Sequence, residues 1–344
     1  MFKKWFFPVA LMLALSLLLV GCGGKGNPQG KDKQPSEKTA SKSASFPQKD
    51  IRLIVPFNPG GLFDTEARML APFIEKNLPQ KVNVVVENVA GADSKLGLMR
   101  IYKAEPDGYT IGLFHIPGQV TEQVMNKVDY DMNKVSWLGR ISQTTYVLAV
   151  SSKTSIKSLE DLKNAKTSRF AMSAMTGGGG LGIGIASKEI GFEINPIPHE
   201  GSNDAVMTVL RGDAEAVQYP YSTVAKFVES KELRPIVVYS PKRLPEMPDV
   251  PTIAEAGYPQ LLDPVKQDVL IGTTPGVPEE VLKVLREAIW KAMNEPQFKD
   301  MAVKAGHEIS PAQDPEVVKS IEGSFQSMNK YKGVIQEYLG KIKK

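Results

Sequence analysis

"IRLIVPFNPGGLFDTEARML", Ile51 to Leu70, decides how this chain is read. Ile51, Leu53, Ile54 and Val55 form an apolar, β-branched run of the kind found in buried strands. Pro56, Pro59, Gly60 and Gly61 interrupt it. Phe63, Ala67, Leu70, Ile74 and Leu78 then fall on one face of a helix. Strand, glycine turn and helix start together present backbone N–H groups and the positive end of a helix dipole to an anion. A nucleotide phosphate loop would need a Gly-Lys-Ser/Thr ending, and Leu62 and Phe63 stand there instead. Asp64 either caps the helix or touches a ligand.

The pattern continues downstream. "VNVVVENV" reads as a strand, "SKLGLMRIYKAE" as a helix ended by "PDG", and "YTIGLFH" as a third strand. Such alternation predicts a parallel α/β sheet. A second set begins after "YVLAVSS". It contains the short helix "SLEDLKNA", with Ser158 as N-cap and Asp161 three residues on. "RFAMSAM", "EINPIPH", "AEAVQYP" and "RPIVVYS" read as strands, and "LGIGIASKEIG" and "SNDAVMTVLRG" as helices, the latter closed by Gly212. The tail holds the strand "DVLIGTT" and a helix opened by Pro278, with Glu279 and Glu280 complementing its dipole. This final segment is able to complete the first sheet.

Two more glycine loops sit at strand–helix junctions. In "MTGGGGLGIG", Gly177, Gly179 and Gly182 fit G-x-G-x-x-G, and Glu200 stands near the distance expected of a ribose-binding acid. Four consecutive glycines make that match easy to reach by chance, and no clean βαβ unit follows. In "HEGSND", Gly201, Ser202 and Asn203 offer N–H, hydroxyl and amide donors at a helix start. None of the three loops contains Arg or Lys. Backbone amides and helix dipoles would hold the anion, which suits a readily released carboxylate better than a permanently bound polyphosphate.

Catalytic and metal-binding patterns are thin. The chain has one cysteine and three histidines, His115, His199 and His307, without metal-ligand spacing. There is no nucleophile elbow. His199 beside Glu200 reads as loop polarity, and His307 as a surface residue.

The first 45 residues differ from the rest. Lys3 and Lys4 precede an apolar run from Trp5 to Val20, followed by "LVGC", Leu19 to Cys22. This is a secretory n-region and h-region, too short for a span of ~20 apolar residues. Its end resembles the bacterial lipobox, in which the cysteine is lipidated. Residues 1–22 are therefore expected to be a lipoprotein signal peptide, with Cys22 as the lipidation site. Residues 23–45 are rich in Gly, Ser, Lys and Pro and hold no aromatic or branched aliphatic residue, so they are expected to be a disordered tether. The chain's formal net charge is +4, from 42 basic and 38 acidic residues. Residues 1–45 hold seven of the basic and two of the acidic residues, which leaves the remainder at −1. The basicity belongs to leader and tether, and no nucleic-acid-binding surface is implied.

Five stretches, in order, carry a family resemblance: "IRLIVPFNPGGLFDTEARMLA", "VVVENVAGADSKLG", "AEPDGYTIGLF", "HEGSNDAVMTVLRGDAEA" and "LRPIVVYSPKRLPEMPDVPTIAEAGYP". From about Phe46 onward the chain resembles the tripartite tricarboxylate transporter solute receptors, the Bug family. The resemblance implies an α/β, two-lobed periplasmic-binding-protein fold of the type II, Venus-flytrap kind. Lobe 1 would comprise 46–147 plus 239–344, and lobe 2 would comprise 148–238. It implies a receptor rather than an enzyme, needing no cofactor or metal. A small organic acid, a di- or tricarboxylate or a relative of one, would sit between the lobes and pass to integral-membrane permease subunits. The protein would be lipid-anchored on the extracytoplasmic face of the cell membrane.

Carried onto this chain, the resemblance assigns ligand binding to Phe57, Asn58, Pro59, Gly60 and Gly61, with Asp64 beside them. It adds Gly91 and Ala92, then Thr176, Gly177, Gly178, Gly179, Gly201 and Ser202 of the second lobe. Three departures stand out. "GADS", Gly91 to Ser94, replaces the family's frequent "GAGG". "HIPGQV" brings His115 to a loop that is often rich in small residues. "AEAVQYP" brings Gln218 and Tyr219 toward the distal pocket. Two other readings compete: an extracytoplasmic ligand sensor for a signalling partner, and a dinucleotide-dependent oxidoreductase built on "TGGGGLGIG".

Overall fold

The computed structural model describes residues 46–342, apart from 93, 166–167, 173–179 and 200–201. The expected signal peptide (1–22), tether (23–45) and lipidation site Cys22 lie outside the described residues.

The chain first lays down β1 (Ile51–Val55), α1 (Leu62–Asn77), β2 (Val84–Asn88), α2 (Lys95–Tyr102), β3 (Thr110–Ile116) and α3 (Gly118–Met125). β1 pairs in parallel with β2 on one side and β3 on the other. Next comes β4 (Ser136–Thr144), and a single residue, Thr145, separates it from β5 (Tyr146–Ser151) in a different sheet. That second sheet is built with α4 (Leu159–Asn164), β6 (Ser168–Met172), α5 (Gly180–Ile190), β7 (Ile194–Pro198), α6 (Ser202–Arg211), β8 (Ala216–Pro220), α7 (Tyr221–Glu229) and β9 (Leu233–Tyr239). The chain returns through α8 (Leu262–Val265) to β10 (Gln267–Thr273), and ends in α9 (Glu279–Asn294), α10 (Pro296–Lys304), β11 (Ile309–Ala312), α11 (Glu316–Lys330) and α12 (Lys332–Ile342).

The strand orders are β11-β4-β10-β3-β1-β2 and β7-β6-β8-β5-β9. The fold is α/β, but the sheets are mixed rather than purely parallel. β10 runs antiparallel between β3 and β4, and β5 runs antiparallel between β8 and β9. These are the strands through which the chain enters or re-enters a sheet, so they lack the helical crossover that makes neighbours parallel.

The local chemistry matches the elements. Ser158 accepts a hydrogen bond from the Asp161 N–H (3.1 Å), and Asp161 reaches back to the Lys157 N–H (2.8 Å), a reciprocal cap on α4. Gly212 ends α6 at φ +94°, where any other residue would be strained. The edge strand β7 carries Pro196 and Pro198. The His199 N–H bonds to Met172 O on β6, so the alternate positions 196 and 198 face outward. Proline has no N–H to offer there, which blunts the edge against pairing with another chain.

Packing ties the two sheets into one body. Ala67, Leu70, Ile74 and Leu78 bury the predicted face of α1 with Leu282, Leu285 and Ile289 of α9 against one side of the first sheet. Ala205, Val206, Val209 and Val224 cover one side of the second. A third cluster is continuous through both, from Ile54 and Phe114 to Phe170, Leu181 and Ile335. At roughly 1.5–3 kcal/mol per fully buried large side chain, this shared core is the main force holding the sheets together. Among the described residues, no helix is long and apolar enough to cross a membrane.

Candidate anion site at the carboxyl ends of β1, β2 and β3

Three helices, α1, α2 and α3, begin just past the carboxyl ends of β1, β2 and β3, which are adjacent in the order β3-β1-β2. Their N-terminal N–H groups and positive dipole ends therefore share one sheet edge. Phe57, Asn58, Pro59, Gly60 and Gly61 form the first connection, with Asn58 to Gly61 exposed.

Asp64 fixes this turn. It is buried, accepts a hydrogen bond from the Gly60 N–H (2.8 Å) and pairs with Arg68 Nε (2.9 Å). Arg68 also donates to Asn88 Oδ1 (2.8 Å), and Asn88 Nδ2 donates to Phe57 O (3.1 Å). The chain of contacts closes from the turn through α1 to the end of β2. Burial opposes ionisation of Asp64, but the Gly60 N–H, Arg68 and Asn88 outweigh it and hold the carboxyl below its ordinary value of 3.8. Gly60, at φ +81°, is the residue that lets the turn fold back onto Asp64.

The second connection is strained. Gly91 lies at φ +130°, and Ala92 and Ser94, which have side chains, lie at +48° and +73°. Left-handed backbone at a non-glycine residue costs roughly 1–2 kcal/mol. Close packing holds it in place: a Cβ added at Gly97 would lie 2.6 Å from both Pro56 Cα and Val89 O, so α2 rests directly on the ends of β1 and β2.

The third connection brings in His115. Phe57 and Phe63 stack at 4.2 Å, and the His115 ring stands edge-on to both, at 6.4 and 5.7 Å. The His115 N–H donates to Gln119 Oε1 (3.2 Å), and Gln119 Nε2 donates to Ser94 Oγ (3.3 Å), which joins the third connection to the second. A Cβ at Gly118 would come within 2.5 Å of His115 Nδ1. Phe57 and His115 line a cavity of about 100 Å³ with Ser94, Lys95, Gln119 and Glu122, and Leu181 of α5 and Leu339 of α12 are also part of its wall.

Lys95 joins the site although no sequence motif singles it out. It opens α2, lines this cavity and pairs with Glu122. Its position directly after "GADS" was the available signal. The structure thus brings Phe57 and His115 to one cavity and places Asn58–Gly61, Gly91 and Ala92 on the neighbouring connections, with Asp64 in the first turn of α1. Tyr219 lies elsewhere: it is buried on β8 opposite Val147, in the core of the second sheet. Thr176, Gly177, Gly178, Gly179 and Gly201 lie outside the described residues, and Ser202 begins α6.

His307 is not a surface residue. It is buried, and its Nδ1 lies 3.3 Å from Glu66 Oε1 of α1. Helical spacing gives no warning of this, because the partner is 241 residues away. No cluster among the described residues is able to hold a metal ion.

Known proteins give this geometry a context. The profile of the tripartite tricarboxylate transporter family receptor matches residues 66–339. Protein BugT of Bordetella pertussis is 33% identical over 229 residues, covering 63% of this chain and 69% of BugT. A TctC solute-binding protein from Polaromonas shares the fold with a TM-score of 0.75 at 24% identity, over 85% of this chain and all (100%) of that one. MatC of Rhodopseudomonas palustris, solved with bound malate, superposes with a TM-score of 0.63 at 20% identity, covering 84% and 100% of the two chains. A second R. palustris protein, solved with adipate, gives 0.66 at 21%, covering 85% and 98%. The match to the family profile spans most of the body, and the two mixed sheets are those of its solved members: this chain belongs to the tripartite tricarboxylate transporter receptor family.

Proposed function

We propose that the protein is an extracytoplasmic receptor that binds a small organic acid by a carboxylate between its two sheets and hands it to a tripartite tricarboxylate permease. The observation that carries this reading is the convergence of three helix starts on adjacent strand ends, with the Phe57–Gly61 turn locked by Asp64. Such an edge stabilises negative charge without a dedicated cation, and open α/β sheets bind ligands at the carboxyl ends of their strands. The malate and adipate held by two proteins of this fold agree with a carboxylate. Phe57 to Gly61, Gly91 and Ala92 are the first-sheet contacts in this reading, with His115 at the cavity wall. Thr176 to Gly179, Gly201 and Ser202 are the second-sheet contacts in this reading. The ligand leaves unchanged, so the protein is not an enzyme and needs no cofactor.

The leader supports a lipid anchor at Cys22 and a flexible tether of roughly 25 Å. Growth with a labelled fatty acid checks it: wild type takes up label and Cys22→Ser does not, and equal labelling of the two contradicts the anchor. Thermal shift against a panel of organic acids tests the receptor. A bound acid at a hundred times its Kd raises stability by about 2.7 kcal/mol. A shift by NADH with none by any acid would reject the reading.

A further inference from the structure

The C-terminal helix is part of the cavity wall. α12 is fastened to the second sheet at its neighbour Tyr338, which is buried and whose hydroxyl donates to Met172 Sδ (3.2 Å) at the end of β6. Gly184 of α5 leaves room for the Tyr338 ring: a Cβ there would lie 2.8 Å from Cδ2. Two residues on one helix turn thus divide the work. Tyr338 anchors, and Leu339 reaches the cavity that Phe57 and His115 line from the first sheet.

The first-sheet side of that cavity is mixed. Ser94, just before α2, and Gln119 of α3 bring hydrogen-bonding groups, Lys95 and Glu122 bring opposite charges that pair with each other, and Leu98, Met125 and Tyr130 bring apolar surface. Leu181 and Leu339, from α5 and α12, bring only hydrocarbon. At about 100 Å³ the space is small, so adding or removing one methylene of ligand is felt. We propose that Leu339 sets the chain length of the acid this receptor accepts, with Leu181 as the fixed half of the same wall and Tyr338 as the positioning residue. The ligand class this selects is an unbranched dicarboxylate whose hydrocarbon middle packs against the two leucines. The inference rests on the receptor reading above and narrows it.

Isothermal titration with straight-chain dicarboxylates, from succinate through adipate to sebacate, tests it on wild type, Leu339→Ala and Leu339→Phe. Wild type should show an affinity optimum at one chain length. Leu339→Ala should move the optimum to a longer acid, with each added buried methylene worth about fourfold, or ~0.8 kcal/mol. Leu339→Phe should move it to a shorter acid. A loss of packing alone would weaken all acids together without moving the optimum. Gly184→Ala, which displaces Tyr338, should flatten the length dependence. If wild type has an optimum that neither Leu339 variant moves, the wall assignment is overturned and the receptor reading stands. The same holds if only a branched tricarboxylate binds. If no carboxylate of any kind binds, both fall.

Discussion

Asp64 shows how one side chain can be decisive without being exposed. Its carboxylate holds the Gly60 N–H and Arg68 at once, so the exposed turn Asn58–Gly61 inherits the rigidity of α1. Asp64→Asn keeps the shape and removes the charge. Charge-assisted hydrogen bonds of this kind contribute roughly 2 kcal/mol, and urea denaturation should show a loss of that order. The pH dependence follows from the depressed carboxyl. Its stabilisation is complete above the unfolded value near 3.8 and is lost as pH falls through the lower folded value. Acid titration of wild type should therefore contain a destabilising step below pH 3.8 that Asp64→Asn lacks; identical acid limbs would refute the role given to Asp64. At this scale the sequence was only half legible. It offered Asp64 as cap or ligand contact, while the Glu66–His307 pair was hidden because its members meet only through tertiary packing.

Elements with a strong local signature were legible. β1, the turn and α1 could be read from alternation, glycine and helical spacing, and α4 from its cap. β4 and α3 could not. β4 contains Gly139 at φ +156° and is separated from β5 by one residue, so no turn signal marks its end. α3 begins at Pro117-Gly118, a pair that reads as a loop; in the fold the helix packs against β3 and α11, and Gln119 accepts from the His115 backbone N–H. Glycines within elements separate into two kinds. Gly97→Ala places a Cβ against backbone at Pro56 and Val89, which cannot swing aside, so overpacking should cost about 1–3 kcal/mol. Gly333→Ala in α12 meets nothing within 4 Å and should be neutral or stabilising by up to about 1 kcal/mol. Thermal melts of the two variants check this contrast, and equal melting temperatures would show that α2 does not depend on the close approach.

At the scale of the whole molecule, the sheets meet at Thr145. Its N–H donates to Glu308 Oε2 (2.8 Å) from the segment before β11, and its carbonyl accepts from the Tyr221 N–H (2.8 Å) at the start of α7. One residue thereby holds both sheets. Burial raises the Glu308 carboxyl above its ordinary 4.5, the Thr145 N–H offsets part of that, and Glu246 adds repulsion. A raised carboxyl means that the ionised form disfavours folding, so stability should recover as pH falls from the folded value toward 4.5. Glu308→Gln keeps an acceptor for Thr145 and removes the charge. It should melt higher than wild type at neutral pH, with the difference gone below pH 4.5; a lower melting temperature at neutral pH would reverse the sign of the argument. None of this was legible in the chain, because residues 145 and 308 become neighbours only when the final segment completes the first sheet. The receptor proposed above holds a carboxylate at the shared carboxyl end of β1, β2 and β3. A structure of the protein crystallised with the acid that shifts its melt furthest tests this most directly. The expected result is a carboxylate within hydrogen-bonding reach of N–H groups between Phe57 and Gly61 and at Gly91–Ala92, with the rest of the ligand extending toward Leu339. A carboxylate bound away from these connections, held by surface cations instead, would contradict it.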